Sequence, residues 1–207
     1  MYIVVVLLVI LVSMTLHEVM HGYAAYWLGD DTANLQGRLT LNPFAHIDPF
    51  MTLLLPVLLA VAGLPIFGGA KPVPFNPSRL RYGEIGAALV GLAGPLTNLV
   101  IAFVLFGLYA AFGQPSTNSF GGLLLIVGVS VNLGFFVFNM LPIPPLDGSR
   151  VLYALAPDWA RRGMEAVENY GIVLVFALIL LLGSAMGQFM GASIGLFFDI
   201  FARIFGV

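Results

Sequence analysis

The segment LHEVMHGY, residues 16–23, places His17, Glu18 and His21 inside an otherwise apolar stretch at residues 1–28. A helix needs about 20 predominantly apolar residues to cross a membrane, so this stretch is long enough to span one. We interpret it as a retained span, because it lacks the basic start and the small-residue cleavage site of a signal peptide. Ionisable groups inside a span are energetically costly, and they therefore indicate a functional site.

The composition assigns the chain to the membrane proteins. Of its 207 residues, 60% are hydrophobic and only 9% are charged, whereas soluble domains carry about 25% charged residues. The net charge of −2 is small and unclustered, so nothing indicates a nucleic-acid partner. Because the chain has no cysteine, His, Asp and Glu must supply any metal ligands. The only histidines are His17, His21 and His46.

The hydrophobic pattern predicts an all-α integral membrane bundle with about five to six hydrophobic segments. The segments are residues 1–28, 50–67, 84–112, 120–141, 171–186 and 189–206. The turn-forming residues between the first helix and the helix at 84–112 predict short β or re-entrant segments there. Whether 50–67 and 189–206 cross fully is left open. We expect one membrane-embedded domain over residues 1–207, with a catalytic core at about 1–155 and C-terminal helices at 156–207.

The spacing of the polar cluster indicates a metal site. Positions i and i+4 lie on one face of a helix, so His17 and His21 can bind one ion. Glu18 lies beside the first ligand, and this H-E-x-x-H arrangement is typical of zinc metalloproteases in which the glutamate is the general base. Zinc would activate water and polarise the scissile carbonyl. Without a metal, two imidazoles and a carboxylate would have little reason to lie in a span.

A catalytic zinc takes three protein ligands, so a third must come from elsewhere in the chain. Asp147, in NMLPIPPLDGSR, follows a predicted span, and the preceding prolines prevent a regular helix there. Asp147 could instead be only the N-cap of the next helix. Glu84 is a weaker candidate, because it fits the first turn of the helix at 84–112.

Three motifs together resemble the site-2 protease family of intramembrane zinc metalloproteases: HEVMH at 17–21, AGPLTN at 93–98 and NMLPIPPLDG at 139–148. The resemblance implies that His17, His21 and Asp147 bind one Zn²⁺ and that Glu18 is catalytic. It also implies a compact member without a PDZ or CBS domain. Asn98 is a candidate catalytic residue whose amide NH₂ would stabilise the oxyanion; an interhelical hydrogen bond is the alternative.

The distribution of charge predicts the orientation. If residues 50–67 enter the membrane and return, His17, Asn98 and Asp147 fall on one side of the bilayer, which we call the site side. That side then carries seven basic residues: Arg38, Lys71, Arg79, Arg81, Arg150, Arg161 and Arg162. The loop at 113–119 carries none. The positive-inside rule therefore predicts a plasma (inner) membrane protein whose active site faces the cytoplasm.

The leading hypothesis is an endopeptidase that cuts membrane proteins in or near their transmembrane helices, as in regulated intramembrane proteolysis. GRLTLNP and AKPVPF could present a strand edge to an unwound substrate, or they could be connecting loops. The alternatives are a metal transporter or sensor and an inactive substrate-binding scaffold. The roles of His46 and Asn139 stay open: His46 suits an interfacial turn or a contact that gates the zinc, and Asn139 lies near the metal or ends a helix.

Overall fold

The computed structural model describes residues 1–61, 69–168 and 170–207. Within these ranges the chain is helical, with turns and no strand. The α-helices in the described ranges are α1 (Tyr2–Trp27), α2 (Thr32–Leu35), α3 (Leu55–Val61), α4 (Gly83–Ala111), α5 (Phe120–Asn139), α6 (Gly148–Leu155), α7 (Asp158–Glu168) and α8 (Gly171–Phe205). Short 3₁₀ turns at Pro43–His46 and Pro77–Arg79 and a π-helix at Pro49–Leu54 complete these elements.

Four of the described helices are long and apolar enough to cross a membrane. They are α1, α4, α5 and the part of α8 from Val173 to Phe205. Their exposed faces carry many large apolar side chains, as expected where lipid replaces water. The predicted all-α membrane fold is confirmed, and the protein is a multi-pass membrane protein.

Helix α4 lies at the centre of the bundle, where it packs against both α1 and α5. The end of α1 and the start of α4 share a cluster that includes Ala25, Ala87 and Val90. Further along α4, Ala102 and Phe106 pack against α5 and α8. The second half of α1 therefore lies beside the first half of α4, which brings HEVMH next to AGPLTN.

The C-terminal segments predicted at 171–186 and 189–206 form α8, which consists of two helical stretches joined by a kink inside the first predicted segment. Gly and Gln between them do not interrupt a helix as proline would. The helix bends instead at Leu182, whose φ of −119° and ψ of 18° are non-helical.

The short strands expected after α1 do not occur in the described part of the chain. Residues 70–75 contain Pro72 and Pro74 and form neither helix nor strand. A proline has no N–H to donate to a ladder, and side chains bind the polar backbone here instead. The Arg38 guanidinium donates to the Lys71 carbonyl over 2.8 Å. We call residues 69–76 the strap.

The segment predicted to be re-entrant has its two ends side by side. The Gly69 amide donates to the Met51 carbonyl over 3.2 Å, and the Thr52 hydroxyl donates to the Gly69 carbonyl over 2.6 Å. Gly69 therefore lies directly beside Met51 and Thr52, near the start of the predicted segment. Residues 62–67 of that prediction lie outside the described residues.

Candidate metal centre

His17 and His21 lie one turn apart on the buried face of α1, with 7% and 9% of their surfaces exposed. Their Nε2 atoms are 3.0 Å apart. This is the arrangement that the i,i+4 spacing predicts, since residues four apart in a helix lie one above the other.

Asp147 completes the cluster from the turn between α5 and α6. Its Oδ2 lies 3.1 Å from His17 Nε2 and 3.4 Å from His21 Nε2. Asp147 occupies the N-cap position of α6, but its side chain makes no capping hydrogen bond. The carboxylate therefore points to the histidines rather than to the helix end, and the structure favours the ligand hypothesis over the capping alternative.

The other ring nitrogen of each histidine has a hydrogen-bond partner. His21 Nδ1 donates to the Val90 carbonyl over 2.7 Å, and His17 Nδ1 lies 2.6 Å from Asn98 Oδ1. Such partners fix the tautomer and the ring orientation of metal-binding histidines. With Nδ1 occupied, both Nε2 lone pairs point towards the Asp147 carboxylate.

These atoms fit a zinc ion. Zinc–ligand bonds of about 2.0–2.1 Å in a tetrahedron separate neighbouring ligand atoms by about 3.3 Å. The observed separations are 3.0, 3.1 and 3.4 Å. Two nitrogen lone pairs and a carboxylate oxygen at this spacing repel one another unless a cation or protons lie between them. Within the described residues, His17, His21 and Asp147 are the group that could hold a metal.

Gly94 lets α4 approach these ligands closely. A Cβ atom at this position would lie 2.3 Å from His21 Nε2 and 2.6 Å from His17 Nε2. No side chain larger than hydrogen fits there without moving the histidines. The glycine of AGPLTN therefore has a steric role that its sequence position alone did not reveal.

Glu18 and the three candidate ligands line one cavity of about 430 Å³. The strap contributes Val73 to the same wall. The Val73 amide donates to Glu18 Oε2 over 3.0 Å. This bond holds the Glu18 carboxylate at the wall of the cavity that the candidate ligands also line.

Asn98 is fully buried against His17, but its amide is oriented differently from our prediction. Its oxygen faces His17, and its NH₂ group donates to Asn132 Oδ1 over 2.9 Å and approaches the Ser13 carbonyl at 3.4 Å. The donors expected to face the reacting carbonyl are thus bonded inside the bundle. Asn132 and Ser13 were not predicted as site residues, although each is a polar residue within an apolar span, which was the signal in the sequence.

Of the other candidates, Asn139 shares the cavity with the three candidate ligands, whereas His46 and Glu84 do not. His46 is buried and donates to the Thr40 carbonyl over 2.8 Å, and it does not line the cavity. Asn139 lines the cavity, and its NH₂ donates to the Phe135 carbonyl over 3.0 Å. Glu84 lies in the first turn of α4, as predicted.

Outside the membrane spans, buried Asp30 anchors the far end of the strap. Burial alone would raise its pKa. Hydrogen bonds from Thr32 and from the Asn76 amide nevertheless hold the pKa of Asp30 below its usual value. The carboxylate therefore stays charged where the strap meets the loop after α1.

Comparison with known proteins shows which family the chain belongs to. The profile of peptidase family M50 matches residues 113–182. YwhC of Bacillus subtilis, named as a zinc metalloprotease, is 42% identical over 175 residues, covering 82% of this chain and 77% of the relative. Rip2 of Mycolicibacterium smegmatis, also named as one, is 34% identical over 190 residues, covering 91% of this chain and 71% of the relative.

A zinc metalloprotease by name from Methanocaldococcus jannaschii, MJ0611, is 41% identical over 87 residues, covering 42% of this chain and 44% of the relative. No solved structure gave a significant match. The chain covers more than two thirds of both bacterial relatives at over 30% identity. It therefore belongs to peptidase family M50, the site-2 protease family of zinc metalloproteases.

Proposed function

We propose that the chain is a zinc-dependent intramembrane endopeptidase that hydrolyses peptide bonds in or near transmembrane segments of other membrane proteins. One observation carries the proposal. His17, His21, Asp147 and Glu18 line one cavity, and the described part of the chain contains four helices long enough to span a membrane. The kind of process is regulated intramembrane proteolysis, and the catalytic core is about residues 1–155 of one domain.

Each polar residue of the cavity has a role in this reaction. His17, His21 and Asp147 would hold one zinc ion, which supplies a Lewis acid that activates water and polarises the scissile carbonyl. Glu18 takes the proton from the attacking water and passes it to the leaving amine. The Val73 amide holds the Glu18 carboxylate in position for both transfers.

The substrate must present an unwound segment, because a helix hides its carbonyls in hydrogen bonds. We place this segment in the cavity between α1 and the strap. The strap can serve as a rigid wall because side chains bind its backbone. Arg38 binds the Lys71 carbonyl, Glu18 binds the Val73 amide, and Asp30 binds the Asn76 amide. Lipid surrounds the bundle, so substrates arrive by diffusion within the bilayer.

The same proposal includes a cytoplasmic active site in the plasma membrane. The adjacent ends of the segment between Met51 and Gly69 support the topology that places the seven basic residues on the site side. The eighth lysine or arginine of the sequence, Arg203, lies apart from these seven, in the last turn of α8.

Replacing Glu18 by Gln tests the proposal. The change keeps the shape of the side chain but removes the base. We expect cleavage of a model transmembrane substrate in proteoliposomes to fall by about 10²–10⁴-fold, with zinc content unchanged. Glu84→Gln makes the same chemical change outside the cavity and should cleave normally. If Glu18→Gln cleaves as well as the wild type, the protease mechanism fails, and a transport or scaffold role becomes the better account.

A further inference from the structure

Three buried polar side chains extend from the Nδ1 edge of the His17 ring, away from the Nε2 atom that faces the proposed zinc site. Asn98 on α4 and Asn132 on α5 are fully buried, and Ser13 on α1 is 3% exposed. Asn98 Nδ2 donates to Asn132 Oδ1 over 2.9 Å, and Asn132 Nδ2 donates to Ser13 Oγ over 2.9 Å. These bonds connect the three central spans in one network that ends on His17.

The orientation of this network is fixed at its far end by a backbone carbonyl. Asn132 Nδ2 also donates to the Gly128 carbonyl over 2.8 Å. A carbonyl only accepts hydrogen bonds, so the NH₂ group of Asn132 must face Gly128. Its oxygen then faces Asn98, which must present its own NH₂ group to that oxygen.

The orientation of Asn98 in turn fixes which ring nitrogen of His17 carries the proton. With its NH₂ group bonded to Asn132, Asn98 presents its oxygen to His17 Nδ1 at 2.6 Å. This oxygen only accepts, so Nδ1 must carry the ring proton. Nε2 of His17 then keeps its lone pair towards His21 and Asp147.

We propose that Asn98 and Asn132 form a positioning relay, anchored on the Gly128 carbonyl, that holds the ring proton of His17 on Nδ1 and leaves Nε2 free for the metal. The inference rests on the proposed zinc site. It explains why the two histidines have different supports. His21 donates directly to the Val90 carbonyl, which can only accept. His17 faces an amide side chain, which can donate or accept, so the acceptors of the Asn98 NH₂ group must set its direction. They are Asn132 Oδ1 at 2.9 Å and the more distant Ser13 carbonyl at 3.4 Å.

An interhelical hydrogen bond that only stabilises packing would not affect the metal. The two accounts are separated by replacing Asn132, which touches neither the ligands nor the cavity wall. Asn132→Leu removes the nearer of the two acceptors that orient Asn98 and leaves only the Ser13 carbonyl, 3.4 Å from Asn98 Nδ2. Thr97→Val is the matched control, because it removes a hydroxyl bonded to the Ala93 carbonyl on the same turn of α4 as Asn98.

The experiment measures zinc affinity by competition with a chelator and records the imidazole ¹⁵N spectrum of histidine-labelled protein in detergent. Only three histidines contribute to that spectrum, and His17→Asn assigns one of them. We expect Asn132→Leu to weaken zinc binding about tenfold, the lower end of the effect of outer-shell partners. Its His17 Nδ1 proton should exchange faster. Thr97→Val should match the wild type in both measurements.

The relay also predicts that two substitutions have non-additive effects on zinc affinity. Asn98→Leu with Asn132→Leu should bind zinc no more weakly than Asn98→Leu alone, since both changes break one connection. Ser13→Ala should have a smaller effect than Asn132→Leu, because the Gly128 carbonyl still orients Asn132. Unchanged zinc affinity and ring exchange in folded Asn132→Leu would overturn the relay while leaving the protease proposal intact.

The wild type gives a test that no folding defect can obscure. In the zinc-free wild type, Nδ1 of His17 must carry a ring proton, and an unprotonated Nδ1 overturns the relay. A wild type that binds no zinc would instead refute the proposed function. The ring spectrum distinguishes the two failures, because it reports the Nδ1 proton separately from the metal content.

Discussion

Replacing Gly94 by Ala tests whether the close approach of α4 to the histidines matters for the metal. The added Cβ would lie 2.3 Å from His21 Nε2 and 2.6 Å from His17 Nε2, where ordinary contacts begin at 3.4 Å. The ring tips must therefore move by about 1 Å, and a misplacement of about 1 Å can cost on the order of 100-fold in rate. Alanine is the better helix former by about 1 kcal/mol, so the helix itself gains.

We expect Gly94→Ala to cleave a transmembrane substrate about 100-fold more slowly and to bind zinc more weakly in a chelator competition. The thermal unfolding midpoint of the zinc-free protein should stay close to that of the wild type, because the clash falls on movable ring ends. Gly134→Ala is the matched control: its added Cβ has nothing within 4 Å. Wild-type zinc affinity and cleavage in Gly94→Ala would refute the steric reasoning.

Two further predictions concern the elements that support the site. Asp30→Asn should lower the unfolding midpoint near neutral pH, where the carboxylate accepts hydrogen bonds from Thr32 and Asn76. Because the folded pKa of Asp30 is lowered, the stability that its carboxylate contributes is complete above about pH 4. This stability is lost as the pH falls through the folded pKa. A difference in unfolding midpoint between Asp30→Asn and the wild type that persists at lower pH would contradict the prediction. Gly148→Ala places a Cβ 2.4 Å from the Met140 carbonyl oxygen, and such overpacking should destabilise the protein by about 1–3 kcal/mol; an unchanged denaturation midpoint would contradict it.

The sequence was sufficient to predict the residues that meet at the site. The i,i+4 spacing of His17 and His21 sets their geometry on any helix, so that part needed no tertiary information. Asp147 precedes a helix, and its sequence position allowed two interpretations, a metal ligand or a helix N-cap. The prediction that Asp147 is a ligand depended on the family resemblance and on the expected topology. No local rule says whether such a carboxylate caps a helix or faces a metal.

Other features depend on packing that local patterns do not record. Gly94 is an ordinary helical glycine until α1 lies against it. The orientation of the Asn98 amide follows from Asn132 and from a carbonyl on α5, which are distant in sequence. The strand edge expected at AKPVPF does not form because Pro72 and Pro74 cannot donate to a ladder, and Arg38 and Glu18 bind the strap instead. GRLTLNP forms no strand either.

The central claim is that His17, His21 and Asp147 hold one zinc ion. The most direct test is the zinc content of the purified wild type, of Asp147→Ala and of Asp158→Ala, measured by elemental analysis after equilibration with a weak chelator. Asp158 lies at the exposed start of α7 and is the matched control. We expect about one zinc per chain in the wild type and in Asp158→Ala, and much less in Asp147→Ala, because a catalytic site uses three protein ligands. A wild type without zinc, or equal zinc in all three proteins, would contradict the account.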